Sequence, residues 1–214
     1  MLYPITCVDN FFDNPNEIKN YAESLDYTLS QDGKWPGERS DYLHEINPGF
    51  FNWCCKKTLS IYFPQVHEYL EWSATMQFQR INGSDYDHEG WIHKDNDDNE
   101  FTSIVFLSEE NKCGTSFYKP KLDSELIYLN HKHLGYKNQK TNLNLLKEAN
   151  SKFEKTITFD STYNRMISFD GGYAHGADNF GTNERLTLIT FFSNIKATLP
   201  NLSLKYPISE MKRI

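Results

Sequence analysis

Apolar positions change their spacing near residue 70 of this 214-residue chain. Before that point they recur at helical intervals. Ile18, Tyr21, Ala22 and Leu25 fall at i, i+3, i+4 and i+7, which lines one face of a helix. Asn14 stands where its N-cap belongs, Pro15 at its first position, and Glu17 where a capping-box acid sits. A second helix is predicted from the Asn47–Pro48 start through Phe63. Leu2–Val8 alternates like a short strand, and Gly33–Ser40 (GKWPGERS) reads as a turn. After Trp72 the texture is that of strands: Trp72–Asn82, Phe101–Leu107, Thr115–Pro120, Ser124–Leu129, Lys155–Phe159, Asn164–Phe169 and Arg185–Phe192. Each is short, rich in Thr, Ile, Phe and Tyr, and bounded by Gly, Asn, Asp or Pro. Many closely spaced strands after a helical section predict a sandwich or barrel buttressed by helices.

One segment departs from this rhythm. His131–Lys155 holds six Lys against two Glu, and LNLLKEANSKF within it is helix-like. We read about 121–155 as an insertion on the rim, within one domain over 1–214: a helical buttress at 1–70, a β core at 71–195 and a tail at 196–214. No repeat, linker or low-complexity tract divides the chain.

Composition narrows the function classes. The chain has 22 Lys and Arg against 29 Asp and Glu, a net charge of −7, which disfavours bulk binding to phosphate backbones. No stretch approaches the roughly 18 apolar residues of a spanning helix. The first residues lack the basic start and apolar run of a secretory signal. The four cysteines, Cys7, Cys54, Cys55 and Cys113, show no C-x-x-C spacing. Reduced thiols in a cytoplasmic protein are therefore expected, rather than a disulfide framework or a structural zinc site.

The chemistry concentrates in WIHKD (Trp91–Asp95) and YAHGAD (Tyr173–Asp178). In an extended chain residues i and i+2 point the same way, so His93 and Asp95 can grip one ion. His175, 80 residues beyond Asp95, would join them from a later strand. Two imidazoles and a carboxylate occupy one face of an octahedron and leave three positions open, as iron(II) requires to bind co-substrate and oxygen. A structural zinc site would be closed by four protein ligands. The bland alternatives are a strand-end histidine and the start of a solvated acidic loop. That loop, DNDDNE, fails as a calcium site, because Glu100 replaces the required glycine and Phe106 the twelfth-position acid. Arg185 and Thr187 share one side of the last strand. If they face inward, they would hold a carboxylate through the guanidinium fork and a hydroxyl; an outward Arg on an edge strand is the alternative.

In this order, His93-Lys94-Asp95, His175, Arg185 and Thr187 resemble the 2-oxoglutarate- and iron(II)-dependent dioxygenases, nearest the prolyl-4-hydroxylase-like branch. Phe101–Leu107 is similar to the strand after that family's H-x-D. Cys113–Tyr118 resembles its G-G-x-x-F strand, with Cys113 for the first glycine, and Asn164–Gly176 the turn that delivers the second histidine. Val8–Ala22 and WPGERS resemble a phage- and bacteria-associated group of these oxygenases. The resemblance implies a double-stranded β-helix (jelly-roll, cupin-like) core with flanking N-terminal helices. It implies iron(II) held by His93, Asp95 and His175, and 2-oxoglutarate held at its distal carboxylate by Arg185 and Thr187. It also implies oxidation by O2 with release of succinate and CO2, and hydroxylation of a peptidyl or amino-acid side chain. Asp95 disfavours halogenation, since iron halogenases lack this carboxylate.

The chain departs from the family in one respect: Met76–Gly83 (MQFQRING) lacks the tyrosine that often helps hold the co-substrate, and Tyr86 lies in a polar loop. His88, His131 and His133 are not expected to be ligands. The rival readings are a hydrolase on the same triad, which would have no use for Arg185, and a β-helix module that keeps the ligands without turnover. The expected partners are a peptide, protein or small-molecule substrate; nucleic acid is disfavoured by the net charge but not excluded, and no membrane is expected.

Overall fold

The computed structural model describes residues 3–30, 35–65, 67–95, 99–109, 113–121 and 139–198. Helices and short strands come first: β1 (Thr6–Val8), α1 (Pro15–Glu23), β2 (Tyr27–Leu29), β3 (Glu38–Ser40), α2 (Leu43–Ile46) and α3 (Pro48–Tyr62). The core strands are β4 (Leu70–Asn82), β5 (Phe101–Phe106), β6 (Thr115–Pro120), β7 (Phe153–Phe159), β8 (Met166–Asp170), β9 (Ala174–Ala177) and β10 (Glu184–Ala197). The helix α4 (Gln139–Asn150) precedes β7. The expected strand at Ser124–Leu129, together with His131 and His133, lies outside the described residues.

Both helix starts coincide with their Asn-Pro signals, but the two asparagines act differently. Asn47 caps α3 by accepting from the Phe50 N–H at 3.1 Å, whereas the Asn14 side chain makes no capping bond. The GKWPGERS segment, expected as a turn, instead contributes β3, which pairs antiparallel with both β2 and β4.

The strands form two antiparallel sheets, which is the expected double-stranded β-helix. The larger has seven strands in the order β1-β8-β5-β10-β4-β3-β2, and the smaller has three in the order β7-β6-β9. Pleating divides the larger sheet into two faces. One face carries Met76, Phe78, Phe101, Val105, Met166, Leu186, Leu188 and Phe192, and packs with Phe51, Cys54, Cys55, Leu59 and Tyr62 of α3. The opposite face meets the small sheet, where Ile104, Phe106, Ile167 and Phe169 cluster with Phe117 of β6. Both faces are thus covered, which is why β5 is buried at every position. It also explains why its apolar residues Phe101, Ile104, Val105 and Phe106 do not follow a strict alternation.

Gly114 lets the small sheet close. A Cβ there would lie 2.0 Å from the Phe159 carbonyl oxygen, so no larger residue fits between these strands.

Candidate metal and co-substrate site

The two histidines are placed by backbone pairing. His93 and His175 form an antiparallel bridge, each N–H donating to the other's carbonyl at 2.8 Å. Directly opposed residues share a face, so the two imidazoles lie side by side with ring centroids 4.4 Å apart. His175 sits on β9 as expected. His93 lies on a single bridge rather than on a strand of its own. Asp95 is set by its N–H donating to the Gly171 carbonyl at 2.9 Å. A Cβ on Gly171 would come within 2.7 Å of the Asn99 carbonyl oxygen and 3.3 Å of Asp95 Cβ. The glycine therefore permits the segment bearing the carboxylate to approach.

The ring nitrogens are sorted by their hydrogen bonds. His93 Nδ1 is 2.8 Å from the Trp91 carbonyl and His175 Nδ1 is 2.9 Å from the Tyr173 carbonyl. Carbonyls only accept, so both Nδ1 atoms carry the proton and both Nε2 atoms present lone pairs. Those Nε2 atoms lie 3.9 and 3.7 Å from Asp95 Oδ1. The three ligand atoms fall within 4.8 Å of one another, close enough to share one ion. The other carboxylate oxygen, Oδ2, accepts the Thr102 hydroxyl. The donor set is nitrogen and oxygen with three positions left open, which fits iron(II) better than a closed zinc site.

The triad lines a cavity of about 120 Å³ between the sheets, roughly ten times the ~10–15 Å³ that one water requires. Ile104 and Ile189 supply part of its apolar wall, and Arg185 and Thr187 line it as well. The alternative of an outward Arg on an edge strand is removed, because β10 lies between β5 and β4. Arg185 is 6% exposed, donates through Nε to the Cys113 carbonyl at 3.0 Å, and lies 5.5 Å from the Phe106 ring centroid. Thr187 is 1% exposed, and its hydroxyl oxygen has no hydrogen-bond partner among the described residues. A buried hydroxyl left unpaired costs about 1–3 kcal/mol, so this one is suited to a ligand.

The structure adds residues that the motifs did not mark. Trp35, Arg39 and Gln79 line the cavity, and Gln79 Nε2 donates to the Pro36 carbonyl at 2.7 Å. Asn150, the last residue of α4, accepts from the Ile92 N–H at 3.1 Å and donates to the Gly90 carbonyl at 3.0 Å. It thereby braces the segment that leads into His93. Thr102, Arg39 and Asn150 all lay in segments already singled out, but none of the three was marked as a site residue. Tyr86 is engaged elsewhere: its hydroxyl accepts from the Gly37 N–H at 2.8 Å and its ring packs on Phe180. His88 faces Tyr86 and Phe180 and stands outside the triad.

Residues 2–187 match a family of unknown function (DUF6445), and the chain belongs to that family. No curated protein matches it. Solved structures with a similar fold include an oxidoreductase of the 2OG-Fe(II) oxygenase family from Burkholderia pseudomallei. It is 13% identical with a TM-score of 0.52, over 88% of this chain and 84% of the other. HygX from Streptomyces hygroscopicus, with nickel and 2-oxoglutarate bound, is 11% identical with a TM-score of 0.56, over 88% and 82%. A prolyl-4-hydroxylase from Pseudomonas putida is 11% identical with a TM-score of 0.50, over 89% and 92%. At these identities the likeness is one of fold. Among the described residues no helix is long and apolar enough to cross a membrane.

Proposed function

We propose that this member of DUF6445 is an iron(II)- and 2-oxoglutarate-dependent oxygenase that hydroxylates a peptidyl or amino-acid side chain. One observation carries the reading. The convergent His93, Asp95 and His175 share a buried cavity with a buried arginine and an unpartnered threonine hydroxyl. A hydrolase on the same triad would have no role for that arginine and hydroxyl.

In this reading His93 Nε2, His175 Nε2 and one Asp95 oxygen hold the iron. Arg185, assisted by Thr187, pairs with the distal carboxylate of 2-oxoglutarate. The bound metal supplies O2 activation coupled to decarboxylation of the co-substrate, giving succinate and CO2. The protein contributes orientation and the exclusion of water. Trp91 and Tyr173 hold the two imidazoles through their carbonyls, Thr102 holds the carboxylate, and Ile104 and Ile189 keep the cavity wall dry. A reducing cytoplasm suits both iron(II) and the four thiols.

The test is a titration of the anaerobic iron(II) protein with 2-oxoglutarate, watching for the weak visible metal-to-ligand charge-transfer band of the chelate. The band is expected in wild type and absent in His175→Ala. Iron binding without any band would sink the co-substrate assignment and favour a metal-binding module or a hydrolase.

A further inference from the structure

The cavity contains a second arginine that the reading above does not use. Arg39 on β3 pairs with Gln79 on β4, and Gln79 pairs with Thr187 on β10. Opposed residues share a face, so Arg39, Gln79 and Thr187 form one row across the cavity side of the sheet. Arg185 belongs to the next row, opposite Ile81. The two guanidinium groups therefore come from different strands, with Arg39 set two strands from Thr187.

Arg39 packs against aromatic rings. Its guanidinium carbon lies 4.4 Å from the Trp35 ring centroid and 5.9 Å from that of Phe191. Its Nε is buried with no hydrogen-bond partner among the described residues, and the same holds for the Trp35 indole nitrogen. Among the described residues no carboxylate forms an ion pair with it. Arg80, on the opposite face of the same pair of strands, shows the contrast, with Glu38 at 2.9 Å and Glu184 at 3.8 Å. Burial pulls the Arg39 pKa down to about 10, opposed by the charges of Tyr42 and Asp95, so it stays a cation at neutral pH. A buried cation without a partner is costly, and a ligand anion removes the cost. Arg39 lines the same cavity as His93, Asp95 and His175, which places its charge near the metal ligands.

Charge counting indicates which anion is missing. Among the described lining residues, two arginines and one aspartate, together with a divalent metal held by the triad, would leave three surplus positive charges in the cavity. The dianion 2-oxoglutarate cancels two of them. A singly charged group on the substrate cancels the third.

We propose that Arg39 anchors the prime substrate, and that this substrate carries a carboxylate which pairs with the Arg39 guanidinium beside the metal. The assignment rests on the oxygenase reading. The Trp35 and Phe191 rings lie near the guanidinium, and Gln79 braces the neighbouring Pro36 carbonyl. The enzyme then takes a free amino acid, a chain-terminal residue or another small acid, rather than the uncharged interior of a peptide.

The test uses anaerobic iron(II) protein saturated with 2-oxoglutarate. Acetate, propionate and benzoate are each titrated against the matching carboxamide, and against inorganic phosphate, with tryptophan fluorescence as the readout. Wild type should bind carboxylates in preference to carboxamides and phosphate. Arg39→Gln should weaken carboxylate binding by roughly 10- to 100-fold, the cost of a lost charge-assisted bond. Arg39→Lys, which keeps the charge, should retain most of that binding, and both variants should bind 2-oxoglutarate within about threefold of wild type. The proposal is overturned by equal binding of carboxylates and carboxamides, by preference for phosphate, or by wild-type behaviour of Arg39→Gln. It is overturned equally if Arg39→Gln loses 2-oxoglutarate as strongly, since Arg39 would then serve the co-substrate. Should wild type fail to bind 2-oxoglutarate yet bind carboxylates through Arg39, the oxygenase reading falls and the Arg39 subsite stands.

Discussion

Thr102 on β5 donates its hydroxyl to Oδ2 of Asp95, which leaves Oδ1 turned toward the Nε2 atoms of His93 and His175. A carboxylate has two equivalent oxygens and a rotatable bond, so a single hydroxyl decides which oxygen meets the metal. The hydroxyl also belongs to a strand buried on both faces, which makes the orientation rigid.

Thr102→Val keeps the shape of the side chain and removes this bond. Metal affinity should fall by roughly 10- to 100-fold, as for other partners that orient metal ligands. Thr102→Ser should restore most of it. Titration with cobalt(II) as a spectroscopic substitute measures the difference, and unchanged affinity in the valine variant would show that Asp95 is oriented by its backbone alone.

Thr187 predicts an opposite pair of effects. Its hydroxyl is buried without a partner, so Thr187→Val should leave the protein as stable as wild type or more so, by about 1 kcal/mol. Binding of 2-oxoglutarate should weaken by roughly 10- to 100-fold, the worth of one hydrogen bond to a charged carboxylate. Thermal unfolding and co-substrate titration read the two effects separately. A variant that loses stability would mean that the hydroxyl is satisfied within the protein.

Arg185→Gln should separate co-substrate from metal. Loss of a bidentate charged pair is expected to cost roughly 100-fold in 2-oxoglutarate affinity. Iron affinity should stay within about threefold, because Arg185 lies among Cys113, Phe106 and the cavity rather than on a ligand. Equal loss of both would remove the assignment of Arg185 to the co-substrate.

Alkaline pH should destabilise the fold. Burial raises the pKa of the Cys54 and Cys55 thiols above the ordinary 9.0. Tyr27 and Tyr118 are pushed up to about 12, again chiefly by burial. Each folded pKa lies above the unfolded one, so the stabilisation is complete below the unfolded value and is lost as pH rises through the folded one. Unfolding by urea from pH 8 to 11 should therefore show a falling midpoint from about pH 9, where unfolded thiols begin to ionise. A flat midpoint would contradict the burial of these groups.

Much of this protein is legible along the chain. The Asn-Pro helix starts, the run of β-forming segments after residue 70 and the order His93, Asp95, His175, Arg185, Thr187 are local signals. Backbone capping, side-chain alternation and ligand chemistry depend on neighbours in sequence. The helix face of Ile18, Tyr21, Ala22 and Leu25 likewise follows from period alone, and it packs into the main core. Tertiary structure decided what depends on pairing between distant strands. The bridge between His93 and His175 set the two imidazoles side by side, and the central place of β10 turned Arg185 inward. The pairing of β3 with β4 turned a segment that reads as a turn into a strand, and brought Arg39 into the cavity. The reason is physical: a residue's period states which neighbours share its face, and only the register between strands states whether that face meets solvent or the site.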